Sequence, residues 1–299
     1  MLDIQHITMY YDDLKSLDDI TFSVNDGSIF GLIGSNGSGK STLLRLFAGI
    51  LSPKEGQIKW NGQPIYENIP VKESIVYLSD EQYFIPHATV RDMRKLYESV
   101  YPDFSLETYT KLRTLFDLDE NRKISTFSKG MKKQTSVMLG IASRPKLLLC
   151  DETFDGLDPV VRQAVKRVLI EQSAENGTTT IIASHNLREM EDICDTIALL
   201  HRGKLLFERE LDDMKLTLHK VQAVFHEEID KERLSPLPIL SFEKRGNLVT
   251  FVARAEESEI NRVLSQLSPV YSENVPLTLE EIFINEMEEI GYDVGNILA

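Results

Sequence analysis

The segment GSNGSGKST, from Gly34 to Thr42, constrains this chain more than any other. It holds the spacing G-x-x-x-x-G-K-[ST] as Gly34, Gly39, Lys40 and Ser41. The apolar run Ile29-Phe30-Gly31-Leu32-Ile33 ahead of it reads as a buried parallel strand, and Leu43, Leu44, Leu46, Phe47 and Ile50 behind it recur at helical spacing. A strand that hands a glycine loop to a helix N-terminus predicts an α/β fold with an anion cradle at a strand end.

Glycines let the backbone curl so that successive N–H groups point inward, where they add to the positive end of the helix dipole. The candidate phosphate-binding residues are therefore Gly34, Ser35, Asn36, Gly37, Ser38, Gly39, Lys40, Ser41 and Thr42. Lys40 is placed to reach the β- and γ-phosphates, and Ser41 to offer its hydroxyl to Mg²⁺.

The rest of the chain follows suit. Ile20 to Val24 alternates as a strand, Asn25-Asp26-Gly27 gives a turn, and Asn61-Gly62 after Ile58-Lys59-Trp60 signals a hairpin. Val90, Met93, Leu96, Tyr97 and Val100, then Tyr109, Leu112, Leu115 and Phe116, mark a helical insertion over about residues 82–145. Strand signals return in Pro145 to Asp151 and in Thr178 to Ser184, with Val161 to Gln172 as a helix between them, the alternation of a parallel sheet. Ligands of such sheets sit at the carboxyl ends of the strands, where Asp151, Glu152, Ser184 and His185 fall.

Composition narrows the function classes. The net charge of −14 gives no broad attraction for nucleic acid or an anionic membrane surface, so no nucleic-acid partner is expected. The two cysteines, Cys150 and Cys194, lie outside any C-x-x-C pattern, which speaks against disulfide scaffolding and zinc and fits a reducing cytosol. No run of about 18 apolar residues and no basic-then-apolar leader occurs, so neither a membrane span nor a secretion signal is expected.

A change of pattern after Gly203-Lys204-Leu205-Leu206-Phe207 divides the chain into residues 1–215 and a small α/β domain at 216–299, with Met214 to Lys220 as the connection. The tail reads as strands at Val221 to Phe225, Ile239 to Glu243 and Leu248 to Arg254, a turn at Arg245-Gly246-Asn247 and a helix from Glu256 to Leu267. Thr278-Leu279-Glu280-Glu281 is a capping box opening a last helix.

Asp151-Glu152 ends an apolar strand beside the glycine loop, a placement that suits one carboxylate to ordering Mg²⁺ and the next to polarising the attacking water. Phe127-Ser128-Lys129-Gly130-Met131 stands between the two motifs and resembles the signature of the ABC-type ATPases, keeping its serine and second glycine. The resemblance covers residues 1 to about 210. It implies a mixed sheet with an inserted helical subdomain, and ATP and Mg²⁺ as ligands.

Residue by residue, it implies Glu152 and His185 as the catalytic pair, Tyr11 as the aromatic stacked on adenine, and Asp158, in Asp155-Gly156-Leu157-Asp158-Pro159, as a contact across a dimer. Ser128, Lys129 and Gly130 would meet ATP held by the partner subunit. Ser41, Asp80 and Asp151 would ligate the metal, Asp80 standing after Ile75-Val76-Tyr77-Leu78 where the family carries a glutamine.

The implied activity is ATP hydrolysis that powers export through a separate transmembrane permease. The resemblance implies a homodimer or a pair with a related ATPase, in the cytoplasm at the inner face of the cell membrane. The alternatives are a soluble ABC-type ATPase and a nucleotide-gated regulator. One cassette without sustained heptads argues against the first, and an intact Glu152 and His185 against the second.

Overall fold

A computed structural model describes residues 1–289, and these divide into two compact units, Met1–Glu208 and the residues from Arg209 onward.

The first unit opens with a twisted antiparallel sheet. Strands β1 (Leu2–Tyr11) and β2 (Leu14–Val24) pair with each other, and β1 also pairs with β4 (Glu55–Trp60), which turns through Asn61 and Gly62 into β5 (Gln63–Pro64). Both turn residues have positive φ, +49° and +78°, the backbone that the Asn-Gly pair predicts for a two-residue hairpin. Between β2 and β4 the chain runs through β3 (Ile29–Ile33), the glycine loop and α1 (Lys40–Phe47).

The helix α1 stops before Ile50, which the apolar spacing placed on its buried face and which is exposed. Gly49 at φ +63° turns the chain there, so close to Ile65 and Lys72 that a side chain would collide.

After the short α2 (Ile69–Lys72) come β6 (Ile75–Leu78) and the helical insertion of α3 (Val90–Val100), α4 (Leu106–Leu115) and α5 (Lys129–Ala142). Thr89 caps α3 with a complete capping box, Ser105 caps α4 and Ser128 caps α5, so each helix begins where a hydroxyl can take an otherwise unpaired N–H. Leu96, Val100 and Leu115, which share the apolar spacing, are solvent-exposed.

The central sheet follows with β7 (Leu147–Asp151), α6 (Pro159–Asn176), β8 (Thr179–Ser184), the one-turn α7 (Leu187–Met190), β9 (Thr196–His201) and β10 (Lys204–Glu210). Its strand order is β10-β9-β3-β8-β7-β6. The pairs β3/β8, β3/β9, β7/β8 and β6/β7 are parallel. Register aligns Ile33 with Ser184 and Asp151 with Ala183, so the ends of β3, β7 and β8 form one rim. The helix α6 is longer at both ends than the apolar pattern alone indicates, because Asp158 caps it ahead of Pro159 and Gly177, at φ +64°, closes it.

The second unit begins at Arg209, ahead of the boundary at 216 drawn from the sequence. What reads as a connection from Met214 to Lys220 is the helix α8 (Leu211–Thr217) running directly into β11 (Leu218–Val224). Leu211 and Met214 are buried, which explains why this helix counts with the domain rather than with a linker. The sheet order is β12-β13-β11-β14, antiparallel throughout, with β12 (Ile239–Arg245), β13 (Leu248–Arg254) and β14 (Tyr271–Val275).

Val221, Ala223, Val249, Phe251 and Ala253 point from one face of this sheet toward Ile260, Val263 and Leu264 of α9 (Glu257–Leu267), a self-contained core. The strand β14 escapes a sequence reading because Tyr-Ser-Glu-Asn is exposed at the sheet edge and carries no alternation. Helix α10 (Leu279–Glu289) starts at the capping box, where Thr278 and Glu281 exchange backbone bonds of 3.0 and 3.2 Å.

Candidate functional site

The glycine loop spans the gap from the end of β3 to α1. Gly39 takes φ +109° as the residue before the helix, and Gly34 lies so close to the Leu200 carbonyl and the Ser38 hydroxyl that an added Cβ would sit 2.3 and 2.5 Å from them. Glycine is required at both positions for different reasons, conformation at one and space at the other. Ser38 is almost wholly buried and its Oγ has no hydrogen-bond partner, while its N–H donates to the Ser35 carbonyl at 3.1 Å. Asn36 and Gly37 are exposed at the loop's outer edge, Gly37 at φ +78° with open space around it.

Lys40 is the centre of the arrangement. At 6% exposure its Nζ donates to the carbonyls of Gly34, at 2.6 Å, and Ser35, at 3.2 Å, and stands 3.7 Å from Glu152 Oε1. Burial lowers its pKa below the ordinary lysine value, while the nearby Glu152 and Asp151 carboxylates act in the opposite sense.

Ser41 Oγ donates to Asp151 Oδ1 at 3.1 Å, and Thr42 Oγ1 lies 3.2 Å from Ser16 Oγ. Two residues far apart in the chain are thus joined on the rim of the sheet. Their oxygens form a hard donor set, the chemistry that Mg²⁺ prefers. The residues present fit that ion.

Glu152 follows Asp151 with φ +45°, in the left-handed region that residues with side chains seldom enter. Its Oε2 lies 3.0 Å from His185 Nδ1, and Asp155 brings a further carboxylate oxygen within 4.8 Å of both. The structure therefore brings together Lys40, Ser41, Asp151, Glu152 and His185.

Asp80 is in the loop after β6, its Oδ1 3.2 Å from Lys133 Nζ. It faces a lysine of the inserted helical region, where the sequence placed it among the metal-binding oxygens.

The signature residues lie at the start of α5. Ser128 Oγ accepts from the Met131 N–H at 3.2 Å, Ser128 and Lys129 are exposed, and Gly130 packs so closely on the Gly156 carbonyl that a Cβ would sit 3.1 Å from it. Among the described residues, none of Ser128, Lys129 and Gly130 makes a hydrogen bond or ion pair to the glycine loop of the same chain. Asp158 is occupied as the cap of α6, its Oδ1 accepting from Val160 and Val161 at 3.0 Å each.

Tyr11 is 39% exposed at the end of β1, paired across the turn with the more exposed Leu14. Its hydroxyl is one of two beside Arg45 of α1. Burial of the guanidinium opposes its charge, but Tyr77 and Tyr11 at its side hold its pKa above the usual value.

Three site residues escape the motif reading. Tyr77 donates from its hydroxyl to Asp151 Oδ2 at 3.0 Å, and burial, with the Asp151 charge beside it, pushes the phenol pKa well up, so it remains a donor. Arg45 stands behind it. Lys133 is the third, with its ammonium donating to the Glu152 carbonyl oxygen. The signal for Lys133 was present: it continues the stripe of Val137 and Ile141 at helical spacing on α5, a charge where an apolar residue belongs.

Comparison with known proteins agrees with this geometry. Residues 17–155 match the ABC transporter family. The ABC transporter ATP-binding protein YtrB of Bacillus subtilis (strain 168) is 31% identical over 285 residues, covering 95% of this chain and 97% of that one. The bacitracin transport ATP-binding protein BcrA of Bacillus licheniformis is 29% identical over 212 residues, 70% of this chain and 69% of that one. Among solved structures, an ATP-binding subunit of an ABC transporter superposes with a TM-score of 0.67 at 28% identity, over 72% of this chain and 92% of the other.

Proposed function

This chain belongs to the ABC transporter family as an ATP-binding subunit with ATPase activity, and we propose that it works as a dimer that drives export through a separate membrane permease. The observation that carries this reading is the convergence of Lys40, Ser41, Asp151, Glu152 and His185 on one rim of the central sheet.

In this reading the N–H groups of Gly34 to Ser41 and the start of α1 receive the β- and γ-phosphates, and Lys40 exchanges its carbonyl partners for phosphate oxygens. Tyr11 supplies the face on which adenine stacks. Ser41 and Asp151 would hold Mg²⁺, which would neutralise charge on the phosphates, while Asp80 is engaged by Lys133 instead. Glu152 takes the proton of the attacking water, and His185, hydrogen-bonded to its second oxygen, keeps the carboxylate facing the γ-phosphate.

Ser128 and Lys129 are exposed and Gly130 is half-buried, none of them bonded to the glycine loop of its own chain, and the reading gives them the ATP of a second subunit. Two-fold pairing then places each signature helix N-terminus against the other subunit's nucleotide, with Asp158 beside the contact. Loss of the γ-phosphate removes the contact that favoured the closed pair. The export direction draws support from the signature type Phe-Ser-Lys-Gly-Met and from the bacitracin transport relative.

No described helix is long and apolar enough to cross a membrane, and the reading assigns the membrane path to a separate permease. The test is recovery of the tagged protein from membranes in mild detergent. A multi-span membrane protein should copurify in fixed ratio and alter ATP turnover, whereas full activity with no membrane partner would overturn the coupling to transport.

A further inference from the structure

Lys133 is 2% exposed, among the largest fully buried side chains of the protein. Such a lysine needs a reason, because a buried ammonium is costly unless it meets both a counter-charge and hydrogen-bond acceptors. Both are present. Its Nζ donates to the backbone carbonyl of Glu152 and lies 3.2 Å from Asp80 Oδ1.

The Glu152 peptide is the unusual one. At φ +45° a residue with a side chain stays only where its surroundings hold it. Its N–H is fixed by the Ala183 carbonyl of β8 at 3.0 Å, and its carbonyl by Lys133. With both ends pinned, the side chain is directed to the place between Lys40, at 3.7 Å, and His185, at 3.0 Å.

We propose that Lys133 is a positioning residue for the ATPase reaction: its ammonium clamps the Glu152 backbone in the left-handed conformation, and Asp80 holds that ammonium in place. The proposal rests on the reading of Glu152 as the general base. It also accounts for the acid at position 80. A glutamine there, the residue type that the family resemblance implies, carries no charge to offset a buried ammonium, so Asp80 and Lys133 belong together.

The loop after β6 therefore acts on the base through a single side chain. When that loop moves, the clamp on Glu152 moves with it, and the rate of the chemical step responds while the phosphate cradle stays as it was.

The test is ATPase kinetics and nucleotide affinity of the full chain carrying Lys133→Met, Lys133→Gln, Asp80→Asn and the pair Asp80→Asn with Lys133→Gln, beside Glu152→Gln. Lys133→Met should lower kcat by roughly 10²-fold, the scale of a displaced catalytic group, with KM for Mg-ATP and nucleotide Kd little changed. Lys133→Gln keeps a neutral donor for the Glu152 carbonyl and should lose less.

Because an amide needs no counter-charge, Asp80→Asn should cost a smaller factor in kcat in the Lys133→Gln background than in the native one. Lys133→Met with native kcat overturns the proposal, and so does an equal cost of Asp80→Asn in both backgrounds. If circular dichroism shows that Lys133→Met does not fold, the Asp80→Asn comparison decides alone. Glu152→Gln separates the two readings: an active Glu152→Gln removes the base assignment itself, whereas an inactive one beside a fully active Lys133→Met removes only the role of Lys133.

Discussion

Unit 1 holds Lys40, Lys133, Asp151, Lys166 and Glu189 below a tenth of their full exposure, whereas among the described residues of unit 2 the one polar side chain buried that deeply is Asn285. Both units fold around packed apolar cores, so the charges are not there for folding. Each costs desolvation that only a specific partner offsets: Asp192 at 3.3 Å for Lys166, Arg162 at 3.2 Å for Glu189, and Ser41 with Tyr77 for Asp151. Of these buried charges, Lys40, Lys133, Asp151 and Glu189 lie near the carboxyl ends of the parallel strands, as suits a domain arranged around a charged ligand. The second unit has the economy of a domain selected for packing, which fits an accessory role.

The sharpest break of this comparison is in the chemistry. Glu152→Gln should reduce turnover by ~10² to 10⁴-fold while nucleotide binding persists, because the amide keeps the shape and removes the proton acceptor. The ATP-bound dimer should then accumulate in size-exclusion chromatography with Mg-ATP. A monomer with and without nucleotide would count against the two-subunit site. Lys40→Ala should fail earlier, at binding. Burial holds the Lys40 pKa below its ordinary value of 10.5, and the protonated form is the one that attracts phosphate. Affinity of the native chain should therefore decline with rising pH before 10.5 is reached, a decline that Lys40→Ala should lack.

The two units were also unequally legible. In unit 1 the strand, glycine loop and helix of residues 29–47, and the Asp151-Glu152 strand end, are local patterns, and the structure keeps them. Unseen were the links between them. Tyr77 reaches Asp151 across 74 positions and Ser41 reaches it across 110, contacts that exist only because parallel register brings the strand ends together.

The pairing of Asp80 with Lys133 was hidden for the same reason: Asp80 reads as a metal ligand and Lys133 as a charge on an apolar stripe until α5 packs beside the loop after β6. In unit 2 the β12–β13 hairpin was plain from Arg245-Gly246-Asn247 between alternating runs. Exposed β14 and the short α8 carry too little apolar pattern to declare themselves.

A second test is thermodynamic. Phe251 is fully buried in the core of unit 2, and Phe30, stacked on Phe22 at 5.3 Å, in that of unit 1. Either phenylalanine changed to alanine should cost about 3–5 kcal/mol. Calorimetry should assign the losses to different transitions, and Mg-ATP should raise the one that Phe30→Ala lowers while leaving the one that Phe251→Ala lowers. Equal protection of both by nucleotide would merge the two units into one cooperative body and void the contrast.

The smallest effect is the most discriminating, because it applies one chemistry in both units. Asp158 caps α6 through two backbone bonds of 3.0 Å, and Thr278 caps α10 through a bond of 3.2 Å from the Glu281 N–H. Replacing either with alanine removes a cap worth about 0.5–2 kcal/mol, so chemical denaturation should report similar small losses. Their consequences should then part. If Asp158 also faces a second subunit, Asp158→Ala weakens the ATP-dependent dimer formed by Glu152→Gln, and Thr278→Ala leaves it intact. Asp158→Ser restores the cap and removes the charge, so a dimer defect that survives it belongs to the contact and not to the helix. A defect of equal size from Thr278→Ala would place part of the dimer contact in unit 2 and end the division of labour drawn from the buried charges.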